Sequence, residues 1–395
     1  MSAAAAPAGA RLGLAAIFGS TFCGLVGYFI LSPLLLLRLK GADVSSTLAG
    51  LFVATGWLGI FLMTPFASSV AQRVGRRACM GWSVGVLTLC ALLFTLSTWL
   101  PLWFALNLLS GMAMSLRWVL AEALIAEFCP PAQRGRYVGL FQTLVSATFI
   151  IGPAALVLLG TQNPVTPWVV LGFNLLALLW SALIPRLPRA ADADSARVGL
   201  HGLWLALRAH PIIMLAGFVG GFFETGVTSI LPLYGLALGL GASAAAMLVS
   251  ISGLGGVVLM IPAGMLADRS ADLAQGRRAL MVGSAALMLG ATLALPLVAS
   301  LPWLSWPIVF VWGGAGGTLY MMAMTDIGSR EKGLTLVNST AVLVLTYTLG
   351  GLVASGISGA LIDWSPGVAF PGVLVLVAAL GWFVLRRAYR RGTPA

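Results

Sequence analysis

The chain has 395 residues, 59% of them hydrophobic and only 8% charged, with a net charge of +11. Soluble domains carry roughly 25% charged residues, so this composition excludes an ordinary soluble enzyme or binding module and indicates a multi-pass protein of the lipid bilayer. The basic excess belongs to membrane topology rather than to nucleic acid, and four cysteines without CxxC spacing, with two histidines confined to one linker, indicate neither a disulfide framework nor a metal centre.

The apolar run that follows Arg11 is longer than the ~7–15 residues of a signal-peptide core, so it is read as a first spanning helix. A bilayer span needs about 20 apolar residues. On that measure helices are expected near 12–37, 45–71, 78–98, 101–127, 137–160 and 166–185. A second set is expected near 211–238, 243–267, 277–298, 303–327, 334–361 and 367–386. The long polar connection at 186–210 holds Arg186, Arg189, Asp192, Asp194, Arg197 and Arg208, and divides the chain into bundles at 1–185 and 211–395. Its later part sets Leu200, Leu203, Trp204 and Leu207 at helical spacing, which suits either a short interfacial helix or an ordinary loop.

Of the 22 basic residues, 19 fall before the first helix, in alternate loops, in the central linker or in the tail; Arg38 and Lys40 lie on the opposite side and Arg117 within a span. The positive-inside rule therefore places both termini in the cytoplasm. The two sets also repeat. Pro33, Pro65 and Arg76-Arg77 are matched by Pro232, Pro262 and Arg277-Arg278 at similar spacing. The expected fold is an all-α membrane protein of twelve transmembrane helices in two parallel six-helix repeats.

Three ionised side chains fall where hydrocarbon is expected: Arg117, Glu122 and Glu224. Such a charge costs about 2.5–3.5 kcal/mol on insertion scales, so each is a functional candidate. Arg117 and Glu122 lie about 140° apart around one helix and must look to other helices. Glu224 is 13 residues from Pro211, about 20 Å deep, and Arg117 lies at a depth of about 15 Å. Further polar side chains that could line a site are Gln142, Tyr234, Tyr320, Asn338 and Tyr347; a polar residue on a spanning helix is more often helix-helix glue than a ligand contact. Asp326, near the end of helix ten, is expected to pair with Arg330 or Lys332. Gly81-Trp82-Ser83-Val84-Gly85 fits GxSxG but lies within a span, without the strand-to-helix turn that a hydrolase requires. No GxxxxGK[ST] occurs, so ATP-driven pumping has no support.

Gly264-Met265-Leu266-Ala267-Asp268-Arg269 with Gly276-Arg277-Arg278 resembles the signature loop of the major facilitator superfamily, and Ser68 to Arg77 resembles its first-half copy. That copy keeps Arg73 and the Gly-Arg-Arg end but has Gln72 in place of the acid. Trp118 to Leu124, Arg134-Gly135-Arg136, Leu319-Tyr320 and Leu345 to Gly351 are similar to the YcaD-like branch. The antiporter motif of helix five is half present, at Gly139 and Gly152-Pro153. The resemblance implies a transporter fold in which helices four and seven border a central cavity, with Arg73, Asp268, Arg269 and Asp326 as a cytoplasmic latch. It also matches Glu122 to the acid that the branch carries in helix four.

Together these readings describe a secondary active transporter of a small organic solute, proton-coupled through Glu122 and Glu224, in a cytoplasmic (inner) membrane. Arg117 would suit a cargo with an anionic group, and could alternatively pair with Glu224. Efflux is slightly favoured over uptake, and a monomer without cofactor is expected. A passive facilitator on the same fold and a non-transporting receptor or scaffold are the alternatives. Enzymatic activity is not expected.

Overall fold

In lipid every backbone N–H and C=O must be satisfied within its own segment, so apolar runs of this length have one solution, the helix. The computed structural model describes residues 9–128, 134–185, 200–330 and 333–390, apart from some side chains within those ranges. Every long regular element among them is helical. In chain order these are α1 (Ala10–Gly41), α2 (Ser46–Met63), α3 (Ala67–Val74), α4 (Arg76–Leu96), α5 (Leu100–Phe128), α6 (Arg134–Leu159) and α7 (Thr166–Ala182). They continue with α8 (Leu200–Ala209), α9 (Pro211–Gly221), α10 (Thr228–Ala237), α11 (Ala242–Asp268), α12 (Leu273–Leu293), α13 (Ser305–Arg330), α14 (Gly333–Trp364) and α15 (Ala369–Arg390).

Among the described residues ten helical stretches are long and apolar enough to cross a membrane, and shorter apolar helices at Thr143–Leu159 and Thr166–Ala182 fall at the other two expected positions. The second expected span is two helices, because Pro65 lacks an N–H and sits in a tight turn, Thr64–Phe66, that separates α2 from α3. A positive φ of 95° at Gly75 then ends α3 and opens α4, a conformation that costs glycine nothing. Asp272 caps α12 by accepting from the backbone N–H groups of Ala274 and Gln275 at 2.9 and 3.0 Å. Residues 186–199 of the linker lie outside the described residues. Its later part is the helix α8, on which Arg208 stacks over the Trp204 ring at 4.6 Å.

The chain divides into two compact units. The first comprises residues 1–34 and 58–194, the second residues 35–57 and 195–395. In the first, α1 and α5 meet where Gly13 lies against the Phe128 ring, and Phe18 of α1 meets Phe141 of α6 edge-on at 5.7 Å. In the second, Gly255 of α11 packs on the Phe310 backbone of α13 and Gly313 of α13 on the Ser252 backbone, and the buried Trp312 donates to Thr292 Oγ1 at 3.0 Å. Small residues let helix backbones approach closely where no hydrophobic force drives association. Outward positions carry large apolar side chains such as Leu158, Trp82, Trp303 and Trp364, as a lipid-facing surface requires.

Residues 35–57 belong by sequence to the first six helices yet pack within the second unit. Gly50 of α2 lies on Ser355 and Gly359 of α14, and Gly359 in turn on the Ser46 backbone.

Candidate functional site

Between α9 and α10 the helix widens into one π-turn, Phe222–Val227, which carries Glu224. Such single wide turns concentrate at functional positions. Phe222, Phe223, Thr225 and Val227 on the same turn are buried, whereas Glu224 keeps some accessible surface. Its Oε2 accepts a hydrogen bond from the Tyr347 hydroxyl of α14 at 2.9 Å. On the other side it rests against two glycines of α13. A Cβ at Gly316 would stand 2.9 Å from the Glu224 Cβ, and one at Gly317 would stand 2.9 Å from Oε1. Glycine at 316 and 317 is therefore what makes room for a carboxylate between α9–α10 and α13.

Tyr320, one turn beyond those glycines, stacks on Tyr347 with ring centroids 4.5 Å apart. Nearby, the Trp57 ring of α2 and Thr225 Oγ1 converge over Gly351, 3.0–3.2 Å from where a Cβ would lie. Trp57, Tyr320 and Tyr347 are all half-buried. Three of the residues singled out from sequence, Glu224, Tyr320 and Tyr347, are thus brought together in one cluster.

The remaining candidates sit elsewhere. Arg117 is 2% exposed; its Nη2 donates to the Ser20 carbonyl of α1 at 2.5 Å, and its guanidinium lies against Gly24 of the same helix. Nη1 of Arg117 and the hydroxyls of Ser20 and Thr21 are buried without a hydrogen-bond partner. The polar partners the structure gives Arg117 and Glu224 thus lie in their own units. Tyr234 is 2% exposed and stacks on Phe370 at 4.7 Å, as a core residue does. Asn338 keeps its Oδ1 unpartnered. Asp326, whose side chain is fully buried, lies 2.8 Å from Arg330 Nη2 and 3.8 Å from Arg277 Nε. Arg73 and Arg269 are exposed. The side chains of Glu122, Gln142 and Asp268 lie outside the described residues.

Two further residues escape sequence reasoning. Trp57 reads as one more apolar residue of a span. Asp363 accepts from Ser46 N at 3.0 Å, Thr47 N at 2.6 Å and Thr47 Oγ1 at 2.7 Å, tying the end of α14 to the start of α2. Its one signal in the sequence is an acid at the last turn of an apolar helix.

The Major Facilitator Superfamily profile matches residues 17–333. The MFS-type transporter YE1530 of Yersinia enterocolitica is 23% identical over 386 residues, covering 94% of this chain and 96% of its own. Two solved structures share the fold. The nucleoside transporter NupG, as its D323A mutant, superposes with a TM-score of 0.77 at 13% identity, over 98% of this chain and all of its own. A D-xylose-proton symporter superposes with a TM-score of 0.74 at 16% identity, over 95% and 96% of the two chains. Matched over most of its length by profile, relatives and fold, the chain belongs to the Major Facilitator Superfamily, a family of membrane transporters rather than enzymes.

Proposed function

We propose that the chain is a proton-coupled secondary active transporter of a small organic solute, working by alternating access across the cytoplasmic membrane, with Glu224 as the group that takes up and releases the proton. The observation that carries this reading is a partly accessible carboxylate at membrane depth with one hydrogen bond, from Tyr347, and no cationic partner among the described residues of its unit. A carboxylate so placed is costly when ionised, and a proton removes that cost. Protonation therefore shifts the balance between conformations that differ in how far they withdraw the group from water. A fold neighbour, the D-xylose-proton symporter, couples its cargo to a proton, which is in keeping with this. The excess of basic residues in alternate loops supports cytoplasmic termini. Glu122 is the second candidate carrier, and Arg117, with its unpartnered Nη1, the candidate for an anionic group on the cargo or for a partner of Glu224.

The test begins with an unbiased comparison of metabolites inside and outside cells that carry the wild-type chain, Glu224→Gln or no copy. The compound whose distribution shifts is then followed in proteoliposomes with and without an imposed pH gradient. The wild type should be accelerated by the gradient and arrested by an uncoupler, and Glu224→Gln should lose that response. Flux indifferent to the gradient in both would refute proton coupling and leave facilitated diffusion. Absence of any flux would refute transport. Additive losses of cargo binding in Arg117→Ala and Glu224→Ala would show that those two side chains act independently.

A further inference from the structure

We infer that Glu224, Tyr320, Tyr347 and Trp57 form a binding site for an organic cation, a protonated amine or quaternary ammonium on an apolar body. This names the cargo class for the proposed transport site and rests on that reading.

Charge at this site favours a cation. Five basic side chains of the second unit have other partners: Arg277 and Arg330 lie on Asp326, Lys40 donates to Ser46 Oγ at 3.2 Å, and Arg208 and Arg386 stack on Trp204 and Trp382. Glu224 receives one neutral donor, the Tyr347 hydroxyl. Its Oε1 faces the glycine bed at 316 and 317, where no donor approaches it among the described residues. A ligand that meets the ionised carboxylate there is favoured when it supplies positive charge, because a neutral ligand leaves that charge uncompensated and an anion is repelled.

Shape and surface favour a cation as well. Cations are attracted to aromatic ring faces within about 6 Å, most strongly to Trp and then Tyr. Three such rings belong to the cluster that Glu224 joins through Tyr347. Tyr320 and Tyr347 present adjoining rings at 4.5 Å and 51°, and Trp57 lies one turn along α14 from Tyr347, over Gly351. The Met260 thioether closes the side next to Gly317, a soft surface that adapts to apolar bodies of different shape. The accessibility pattern separates these rings from ordinary core packing. Trp312, Tyr234, Phe222, Phe223 and Phe370 in the same unit are sealed, whereas Trp57, Tyr320, Tyr347 and Glu224 all retain accessible surface. Because the ionised carboxylate receives the ligand, proton and cation exclude each other at Glu224, and a cation that displaces the protonated form releases its one proton.

Binding can be read without transport, using purified full-length protein in nanodiscs and two charge pairs of matched shape. Benzyltrimethylammonium is set against neutral neopentylbenzene, and tetraphenylphosphonium against tetraphenylborate. At least one of the two cations should bind saturably, in preference to its matched partner, and should be displaced as the pH falls. Glu224→Gln should weaken that binding at least ~10-fold, and Trp57→Leu and Tyr320→Leu by between about 2- and 30-fold each. The pH titration of the wild type needs no variant, so a poorly folding Glu224→Gln does not remove the test. Binding of neither cation, equal binding of the matched partner, indifference to pH, or full affinity in both aromatic variants would overturn the inference. Gradient-driven flux of a neutral cargo would overturn it while leaving proton coupling intact, whereas cation binding without gradient-driven flux would refute only the coupling.

Discussion

Replacing Asp363 with alanine should loosen the start of α2 from the end of α14. The carboxylate accepts from two backbone N–H groups in the first turn of α2 and from the Thr47 hydroxyl, at 2.6–3.0 Å. It fills the role of an N-cap supplied from 316 residues away. Losing an N-cap costs about 1 kcal/mol, within a range of roughly 0.5–2, and a further hydroxyl bond adds about 0.5–1.5 kcal/mol. Asp363 is exposed, so water replaces part of what is lost, and the net cost is set at about 1–2 kcal/mol. For a unit of about 200 residues this lowers the melting temperature by roughly 2–8 °C. Thermal unfolding of the purified protein, followed by tryptophan fluorescence, measures it. Asp363→Asn, which keeps one acceptor, should fall between wild type and alanine. A cysteine placed at the buried Ala49 of α2 should be labelled faster in the Asp363→Ala background. An unchanged melting temperature together with an unchanged labelling rate would show that the carboxylate contributes nothing and that glycine packing alone holds α2 to α14.

Gly50→Val should destabilise more than Asp363→Ala, because its Cβ would stand 2.7 Å from the Ser355 carbonyl and 3.0 Å from the Gly359 Cα, both backbone atoms that cannot move aside; Gly41→Ala, with nothing within 4 Å, should be neutral in the same melting assay. Arg330→Ala leaves the buried Asp326, among the described residues, with only Arg277 at 3.8 Å and should cost about 3–5 kcal/mol. Adding Asp326→Asn should recover most of that loss, and failure to recover would show that the pairing is not its source. Trp312→Phe removes the indole donor to Thr292 and should cost about 1 kcal/mol, with no effect on cation binding.

The order of amino acids alone dictates the helices and flags the acid. Runs of about 20 apolar residues have only the helical solution in lipid, so the spans are legible without any knowledge of contacts. Pro65 marks the break in the second span but not its form, since a proline inside a span can equally be carried by a continuous helix, as Pro33 and Pro262 are. Glu224 stands out because hydrocarbon penalises charge wherever it occurs, and Tyr320 and Tyr347 are among the polar side chains that could accompany it.

Which of those side chains meet is settled only by how the helices pack. Residue type and helical setting do not separate Tyr347, which holds Glu224, from Tyr234, which packs against Phe370. Nor does it show that residues 35–57 pack with the second unit, or that Asp363 caps a helix at the other end of the chain. The cause is that lipid is as apolar as a helix interface. In a soluble protein the polar face of a helix reveals by elimination which face is buried. Here both faces are apolar, and the face that turns inward is fixed by glycine clearances and single hydrogen bonds that emerge only once the helices are in contact.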